Sequence, residues 1–451
     1  MAQATSVIPR SAFPPIWLSA RGVWALLGVA LVISFASIVP VLISVAIVAG
    51  ATYLALLCAD LGLGPRAARL RLARKPAGFV SLRHPASLHY VVENRAAVGI
   101  RIGILEAPVV TFNFARDSVE TDIGPRTFVE IESAFEARER GLVSLGAIYF
   151  WAENRLGMLR RRYRVDVAED VRVFPDLSAI ERYGRLARRS TLLDLGLRKL
   201  RLRGVGAEFE SLREYLPGDA FRAVNWKATA RRGRMMVEQY EVERSQNVLV
   251  LLDAGRLMMP RIGPQRKFDY ALTAALSVAS IAQAAGDNVG LTAFAARPLL
   301  SIAPRRGAAH VDALTRASYD LQPRLEEPDY ETTFTRLKQR HSKRSLVVLF
   351  TDIFDPATSA AVLAGLGGLI SRHLVMCVLM NDAAISAALE TPPSSTRDAY
   401  RTSVAMSLAD ERAKSIALLR GRGILVVDVP APLLTVALLD AYLDVKARGL
   451  I

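Results

Sequence analysis

The sequence has two cysteines in 451 residues, Cys58 and Cys377, and neither has ligand-like spacing to another Cys or to a His. A disulfide framework and a zinc site are therefore excluded, and buried free thiols suit a reducing compartment. There is no Gly-x-x-x-x-Gly-Lys-[Ser/Thr] loop, so the chain lacks a phosphate cradle and is not expected to hydrolyse ATP. His84, His89, His310, His341 and His373 are scattered, none in a Gly-x-Ser-x-Gly or His-Glu-x-x-His setting, and each reads as structural. The net charge is +15, yet outside one short run the excess is arginines scattered among acids. No basic stripe interleaved with aromatics is visible, so nucleic acid is not an expected partner.

Charge is missing altogether from Gly22 to Ala59. One bilayer crossing takes about 20 apolar residues, so this block suits two crossings, with a turn at Pro40. The expected spans are Val23–Ile38 and Val41–Cys58. A cleaved signal, whose apolar part is only about 7–15 residues, fits badly. Trp17, Trp24 and Tyr53 sit near span ends, where amphipathic aromatics settle. Arg10 and Arg21 precede the block; Arg66, Arg69, Arg71, Arg74 and Lys75 follow it; the turn is uncharged. Positive flanks stay inside. The expectation is a multi-pass protein of a cell inner membrane with both termini cytoplasmic. Residues 1–21 form a tail, 22–59 the hairpin, and 60–78 a basic juxtamembrane linker of the kind anionic lipid attracts.

Residues 79–177 change character. Val109-Val110-Thr111-Phe112-Asn113-Phe114, Thr127-Phe128-Val129-Glu130-Ile131-Glu132 and Arg162-Tyr163-Arg164-Val165-Asp166-Val167 are short, β-prone runs between polar turns, which predicts a small sandwich-like β domain. Residues 178–246 hold a basic connector, helix-like over 178–205, and then a distinctive segment. From Asn247 to the end, apolar runs alternate with helix-period stretches. Val248-Leu249-Val250-Leu251-Leu252-Asp253 and Ser345-Leu346-Val347-Val348-Leu349-Phe350-Thr351-Asp352 read as central parallel strands. Further strands are expected at 289–294, 374–380 and 424–429, with helices near 268–285, 309–321, 333–341, 357–371, 405–421 and 431–447. The fold class is α/β: a transmembrane hairpin, a β domain, then a doubly wound parallel sheet. Ligands of such sheets bind at the carboxyl ends of strands, which singles out Asp253 and Asp352.

The distinctive segment reads Glu208-Phe209-Glu210-Ser211-Leu212-Arg213-Glu214-Tyr215-Leu216-Pro217-Gly218-Asp219, then Ala220-Phe221-Arg222-Ala223-Val224-Asn225-Trp226-Lys227-Ala228-Thr229-Ala230-Arg231. Pro217-Gly218-Asp219 predicts a turn, and Arg222, Val224 and Trp226 are expected to alternate on one strand face. Either a structural brace over the sheet or a binding surface would use such residues. Phe209, Arg213, Glu214, Tyr215, Pro217, Gly218, Asp219, Arg222, Trp226, Ala230 and Arg231 resemble the signature of the domain-of-unknown-function family number fifty-eight. Arg140-Gly141 and Gly157 resemble that family's β-rich region. The resemblance implies a von Willebrand factor A-like domain, an association with MoxR-type AAA+ ATPases and a chaperone-like or complex-maturation role, with no enzymatic activity.

Domains of that fold often hold Mg²⁺ through Asp-x-Ser-x-Ser, a threonine and a later acid. Here the first element reads Asp253-Ala254-Gly255-Arg256-Leu257, so both serines are absent and Arg256 adds a positive charge. Asp253, Asp352 and Thr332 or Thr333 would be a degenerate remnant, too few oxygens for a hard cation. No metal or other cofactor is expected. The expected function is a membrane-anchored module binding a MoxR-type ATPase or its client through Arg213, Asp219, Arg222, Trp226 and Arg231. A hydrolase or transferase with a site at the top of the α/β sheet is the alternative.

Overall fold

A computed structural model describes residues 9–178 except 65, 76 and 117; 208–241 except 217–220 and 222–223; and 246–450 except 354–355. The predicted helix-like connector over 178–205 lies outside these residues, apart from Ser178. The chain divides into two compact units, Met1–Phe174 and Pro175–Ile451.

The N-terminal unit opens with β1 (Arg10–Leu18), followed by helices α1 (Ala20–Ile38) and α2 (Ile43–Leu63). A single turn of 3₁₀-helix at Pro40–Leu42 joins them, where Pro40 supplies a preset φ and needs no donor. Ser19 caps α1, accepting from the Gly22 amide at 3.1 Å. Both helices are long and apolar enough to span a membrane, and their apolar side chains point outward: Trp24, Ile38, Val45 and Ile47 are exposed. Eleven strands follow: β2 (Leu70–Lys75), β3 (Val80–Ser81), β4 (Pro85–Asn94), β5 (Ile100–Glu106), β6 (Phe112–Phe114), β7 (Val119–Ile123), β8 (Thr127–Ala137), β9 (Gly141–Leu145), β10 (Ile148–Asn154), β11 (Leu159–Val165) and β12 (Glu169–Phe174). They form sheets of order β1-β11-β10-β5-β7, β2-β4-β8-β6 and β3-β12-β9. One core joins them, through alternate inward residues such as Leu72, Tyr90, Ile102, Phe150 and Val165.

Two segments differ from their expected roles. The tail at 1–21 contains β1, antiparallel to β11, with a register shift between Ser11 and Ile16 around Pro14-Pro15. Prolines cannot donate to a ladder and mask a strand in the sequence. The linker at 60–78 contains β2, whose Leu70 and Leu72 are fully buried. Because β1 precedes the helices and pairs with a strand that follows them, both flanks of the helical pair lie at one end of it. Asp60, in the last turn of α2, fixes that end: its Oδ2 accepts from the Met158 and Leu159 amides, each at 2.7 Å.

The C-terminal unit contains the hairpin strands β13 (Glu208–Glu214) and β14 (Met236–Glu241), with the short helix α3 (Trp226–Arg232) between them. β15 (Asn247–Asp253) begins the main sheet. A small ribbon follows, β16 (Arg261–Ile262) with β17 (Gln265–Arg266), then α4 (Lys267–Ala284), β18 (Asn288–Phe294), β19 (Pro298–Arg305), α5 (Ala308–Ser318), α6 (Tyr330–Arg340), β20 (Ser345–Phe350), α7 (Pro356–Ile370), β21 (Leu374–Asn381), α8 (Ala383–Glu390), α9 (Thr396–Gly421), β22 (Leu425–Pro430) and α10 (Leu434–Ala447). The six-stranded order is β19-β18-β15-β20-β21-β22. Every pairing is parallel except β18 with the edge strand β19, an antiparallel hairpin that the sequence reading passed over. Val248, Val250 and Leu252 enter a core with α4 and α10, while Leu249 and Leu251 enter another with α6 and α7. A parallel strand covered on both faces must be apolar along its covered length, as β15 is from Val248 to Leu252.

Candidate functional site

The carboxyl ends of β15 and β20 bring Asp253 and Asp352 together as expected, both fully buried. Asp253 Oδ2 accepts from the Thr351 hydroxyl at 2.7 Å and the Tyr330 hydroxyl at 2.8 Å, and Oδ1 accepts from the Gly255 amide at 2.7 Å. Burial raises the Asp253 carboxyl above the usual range, against those hydrogen bonds. Burial and the Asp253 charge also hold the Tyr330 phenol in its protonated form.

Asp352 is enclosed by two cations. Lys267, at the start of α4, donates to Oδ2 at 2.5 Å, and Arg412 of α9 donates to Oδ1 at 2.7 Å. Arg412 also donates to the Ile353 and Met380 carbonyls at 2.7 and 3.0 Å and to Asp428 at 2.9 Å. Burial opposes the Arg412 charge, but Asp352 and Asp428 outweigh it and raise its pKa. Beneath this network the buried Cys377 thiol is pushed up to about 12 by burial, which keeps it unreactive.

Mg²⁺ does not fit this residue set. A divalent ion needs several free oxygens, and the Asp352 oxygens are occupied by an ammonium and a guanidinium. Gly255 leaves no room for a serine: a Cβ there would lie 2.8 Å from Pro328 Cδ and 2.9 Å from the Glu326 carbonyl oxygen. Arg256 points away and pairs with Glu327. The hydroxyls on Asp253 come from Thr351 and Tyr330, while Thr333 is buried in α6. Among the described residues, no group of three or more His, Cys, Asp or Glu side chains is placed to hold a metal.

The signature segment is organised differently. Arg213 sits in β13 opposite Val237 of β14. Asp219 and Arg222, with the predicted Pro217–Asp219 turn, lie outside the described residues. The expected alternation of Arg222, Val224 and Trp226 on a strand is corrected: Val224 makes an isolated bridge to Val237, and Trp226 begins α3. The cause is Asn225, an N-cap whose side chain accepts from the Ala228 amide at 2.8 Å. Gly233 ends the helix at φ +65°, a left-handed position that favours glycine. Trp226 is 59% exposed and Phe221 63%, their rings edge-to-face with centroids 5.5 Å apart; Leu216 is also exposed, and so is Arg231.

Two cavities stand apart from these groups. One of about 460 Å³ opens beside Glu106, Val110 and Phe112 in the N-terminal unit, and one of about 240 Å³ lies beside Thr292, Arg340 and His341 in the C-terminal unit. Neither is lined by Asp253 or Asp352. The first rests on a buried group in which Arg74 donates to Glu106 at 2.8 Å and Tyr90 donates to it at 2.6 Å.

Lys267, Arg412, Thr351 and Tyr330 were missed by sequence reading. Only Thr351 had a local signal, as the residue preceding Asp352.

The molecule is thus a mixed α/β protein with two N-terminal apolar helices, several sheets and a surface aromatic pair in its most distinctive segment. Residues 211–390 match the family described as "Protein of unknown function DUF58", and the chain carries a domain of that family. It is similar to the uncharacterized protein YeaD of Bacillus subtilis, at 46% identity over 43 residues, 10% of this chain and 11% of that protein. It is also similar to the uncharacterized protein Rv1480 of Mycobacterium tuberculosis, at 23% identity over 181 residues, 40% of this chain and 56% of that one. The chain therefore spans about half the length of the mycobacterial relative. Among solved structures, a PapD-like domain of human CEP192 aligns with 22% of the chain at 8% identity and a TM-score of 0.18, too low to bear on fold or function.

Proposed function

We propose that this chain is a membrane-anchored protein-interaction module whose signature segment docks a MoxR-type AAA+ ATPase or a client of one. In this reading α1 and α2 cross the bilayer, the uncharged Pro40 turn reaches the far side, and both units are cytoplasmic. The C-terminal unit serves as a von Willebrand factor A-like scaffold working without a metal. One observation carries the docking: Phe221 and Trp226 are paired with each other and exposed, although burying one such side chain would gain about 1.5–3 kcal/mol. Tryptophan with neighbouring arginine is the composition most enriched in binding hot spots. The buried, mutually paired sheet-top charges favour this reading over a hydrolase or transferase at that place, since catalysis needs groups converging on an accessible cleft.

The test is recovery of a MoxR-type ATPase by the detergent-solubilised full chain, comparing wild type with Trp226→Ala and Phe221→Ala. Removing a hot spot costs at least about 2 kcal/mol, roughly thirtyfold in affinity. Recovery should fall by that order with the melting temperature unchanged. Full recovery with both variants rejects this surface as the interface, and a large fall in melting temperature makes the pair a structural brace.

A further inference from the structure

The N-terminal unit has two ends of different charge. The pairings Leu18↔Leu159, Leu70↔Asn94, Asn94↔Thr127, Ile100↔Asn154 and Ile100↔Ile123 bring the connections 64–69, 95–99, 124–126 and 155–158 to the end where α1 begins and α2 stops. With the first turn of α1, these segments hold Arg21, Arg66, Arg69, Arg95, Arg126 and Arg155 and no Asp or Glu. At the opposite end, the connections that hold Arg83, Arg116, Arg138 and Arg140 are accompanied by Glu139 and, in the 166–168 connection, Asp166. All six arginines of the helical end are exposed. Arg95 pairs with Glu93 at 2.8 Å, and the other five make no ion pair with a carboxylate among the described residues. Elsewhere on the unit, Lys75 reaches Glu130 at 2.6 Å, Arg101 reaches Glu120 at 3.0 Å and Arg164 reaches Asp166 at 2.7 Å.

Apolar and aromatic groups mark the same level. Leu156 is exposed in the 155–158 turn, Trp24 is 73% exposed one turn into α1, and the Tyr53 hydroxyl donates to the Gly22 carbonyl at 3.2 Å. Trp17, just before the helix cap, lies under the Arg162 guanidinium at 4.8 Å. Amphipathic aromatics at the mouth of an apolar helical pair define an interface plane. Unpaired arginines facing that plane want phosphates.

We propose that the connections at the helical end form a headgroup-facing surface that engages anionic phospholipids of the bilayer crossed by α1 and α2. This rests on the membrane reading above and adds a lipid preference to it. Each arginine near an anionic leaflet contributes about 1 kcal/mol, or about fivefold, to the attraction, and salt screens it. The surface therefore selects lipid by charge, whereas the hairpin itself is indifferent to headgroup.

The experiment places the full chain in nanodiscs containing phosphatidylcholine and phosphatidylglycerol, one or the other brominated on its acyl chains, and reads quenching of tryptophan fluorescence. Expected is stronger quenching by the brominated phosphatidylglycerol, reduced in high salt. The preference should vanish in a variant combining Arg66→Gln, Arg69→Gln, Arg126→Asn and Arg155→Gln. It should persist when Arg83, Arg116, Arg138 and Arg172 are changed to Gln, which removes the same charge elsewhere. Equal quenching by both lipids in the wild type overturns the headgroup surface and leaves the membrane anchor standing. No quenching by either lipid overturns both. A wild type without lipid preference that binds a single-stranded oligonucleotide, with binding lost in the first variant, would transfer the surface to nucleic acid and overturn the proposal as well.

Discussion

At the top of the C-terminal sheet, charged side chains are buried and matched; in the signature segment of the same unit, large aromatic side chains are exposed. The first pattern spends charge on holding elements together. Lys267 ties α4 to the end of β20, and Arg412 ties α9 to both β20 and β22. The second leaves apolar area in water, which contributes nothing to folding. The difference teaches that burial of charge next to strand ends is not by itself a sign of chemistry, and it is the exposed aromatics on which the proposed docking rests.

Removing one partner from the closed network is the severest way to test the contrast. Lys267→Ala strips an ammonium from a fully buried carboxylate, and breaking a buried pair this way costs about 3–5 kcal/mol. Chemical denaturation of the full chain in detergent should show a loss of that size in the C-terminal unit, and an unchanged midpoint would mean the pair is not closed.

Acid is a gentler probe. Burial, then the neighbouring Arg372, lowers the His373 pKa, and burial followed by Arg340 lowers that of His341. Below the ordinary histidine pKa of about 6.5 the unfolded chain binds protons that the folded one refuses. Stability present above that pH should therefore fall as the medium is acidified from pH 7 to 5. His373→Gln should flatten the fall; an undiminished slope would place its origin elsewhere.

Asp253→Asn should act in the opposite sense. The raised carboxyl holds its proton more tightly when folded, so stability declines as pH rises above the unfolded value of about 3.9. The amide has no such slope. Relative to wild type the variant should gain stability between pH 4 and 8, its oxygen accepting from Gly255 while the Tyr330 and Thr351 hydroxyls rotate to accept. A destabilised variant with an unaltered slope would show that the carboxylate is held as a charge. The smallest shift belongs to Trp226→Ala, where an exposed side chain should change stability by less than about 0.5 kcal/mol even as ATPase recovery collapses.

Much of this architecture was legible because it rests on composition over many residues. A charge-free block, a run such as Val248–Leu252 and an acid at its end are local facts, and they located the hairpin, the central strands and the Asp253–Asp352 pair. What escaped was non-local or carried by one residue. Lys267 and Arg412 are two among 58 basic residues, and only the crossing of α4 and α9 over the strand ends picks them out. β1 was hidden by Pro14 and Pro15. The helix at Trp226 turned on a single capping asparagine, and the alternating arginines and valine before it pointed to a strand.

The pairing of β1 with β11 also orders the events of biosynthesis. β1 is made before both apolar helices, and its partner begins at Leu159, after they have emerged. Closing so long a loop is slow, so the sheet can be completed only once the hairpin has found its place. Until then β11 presents a bare edge, and Arg160, Arg161, Arg162 and Arg164 on it are the kind of charge that keeps an open edge from pairing with a neighbour. A strand made before the anchor is thus laid down after it, and its arrival completes that edge of the sheet.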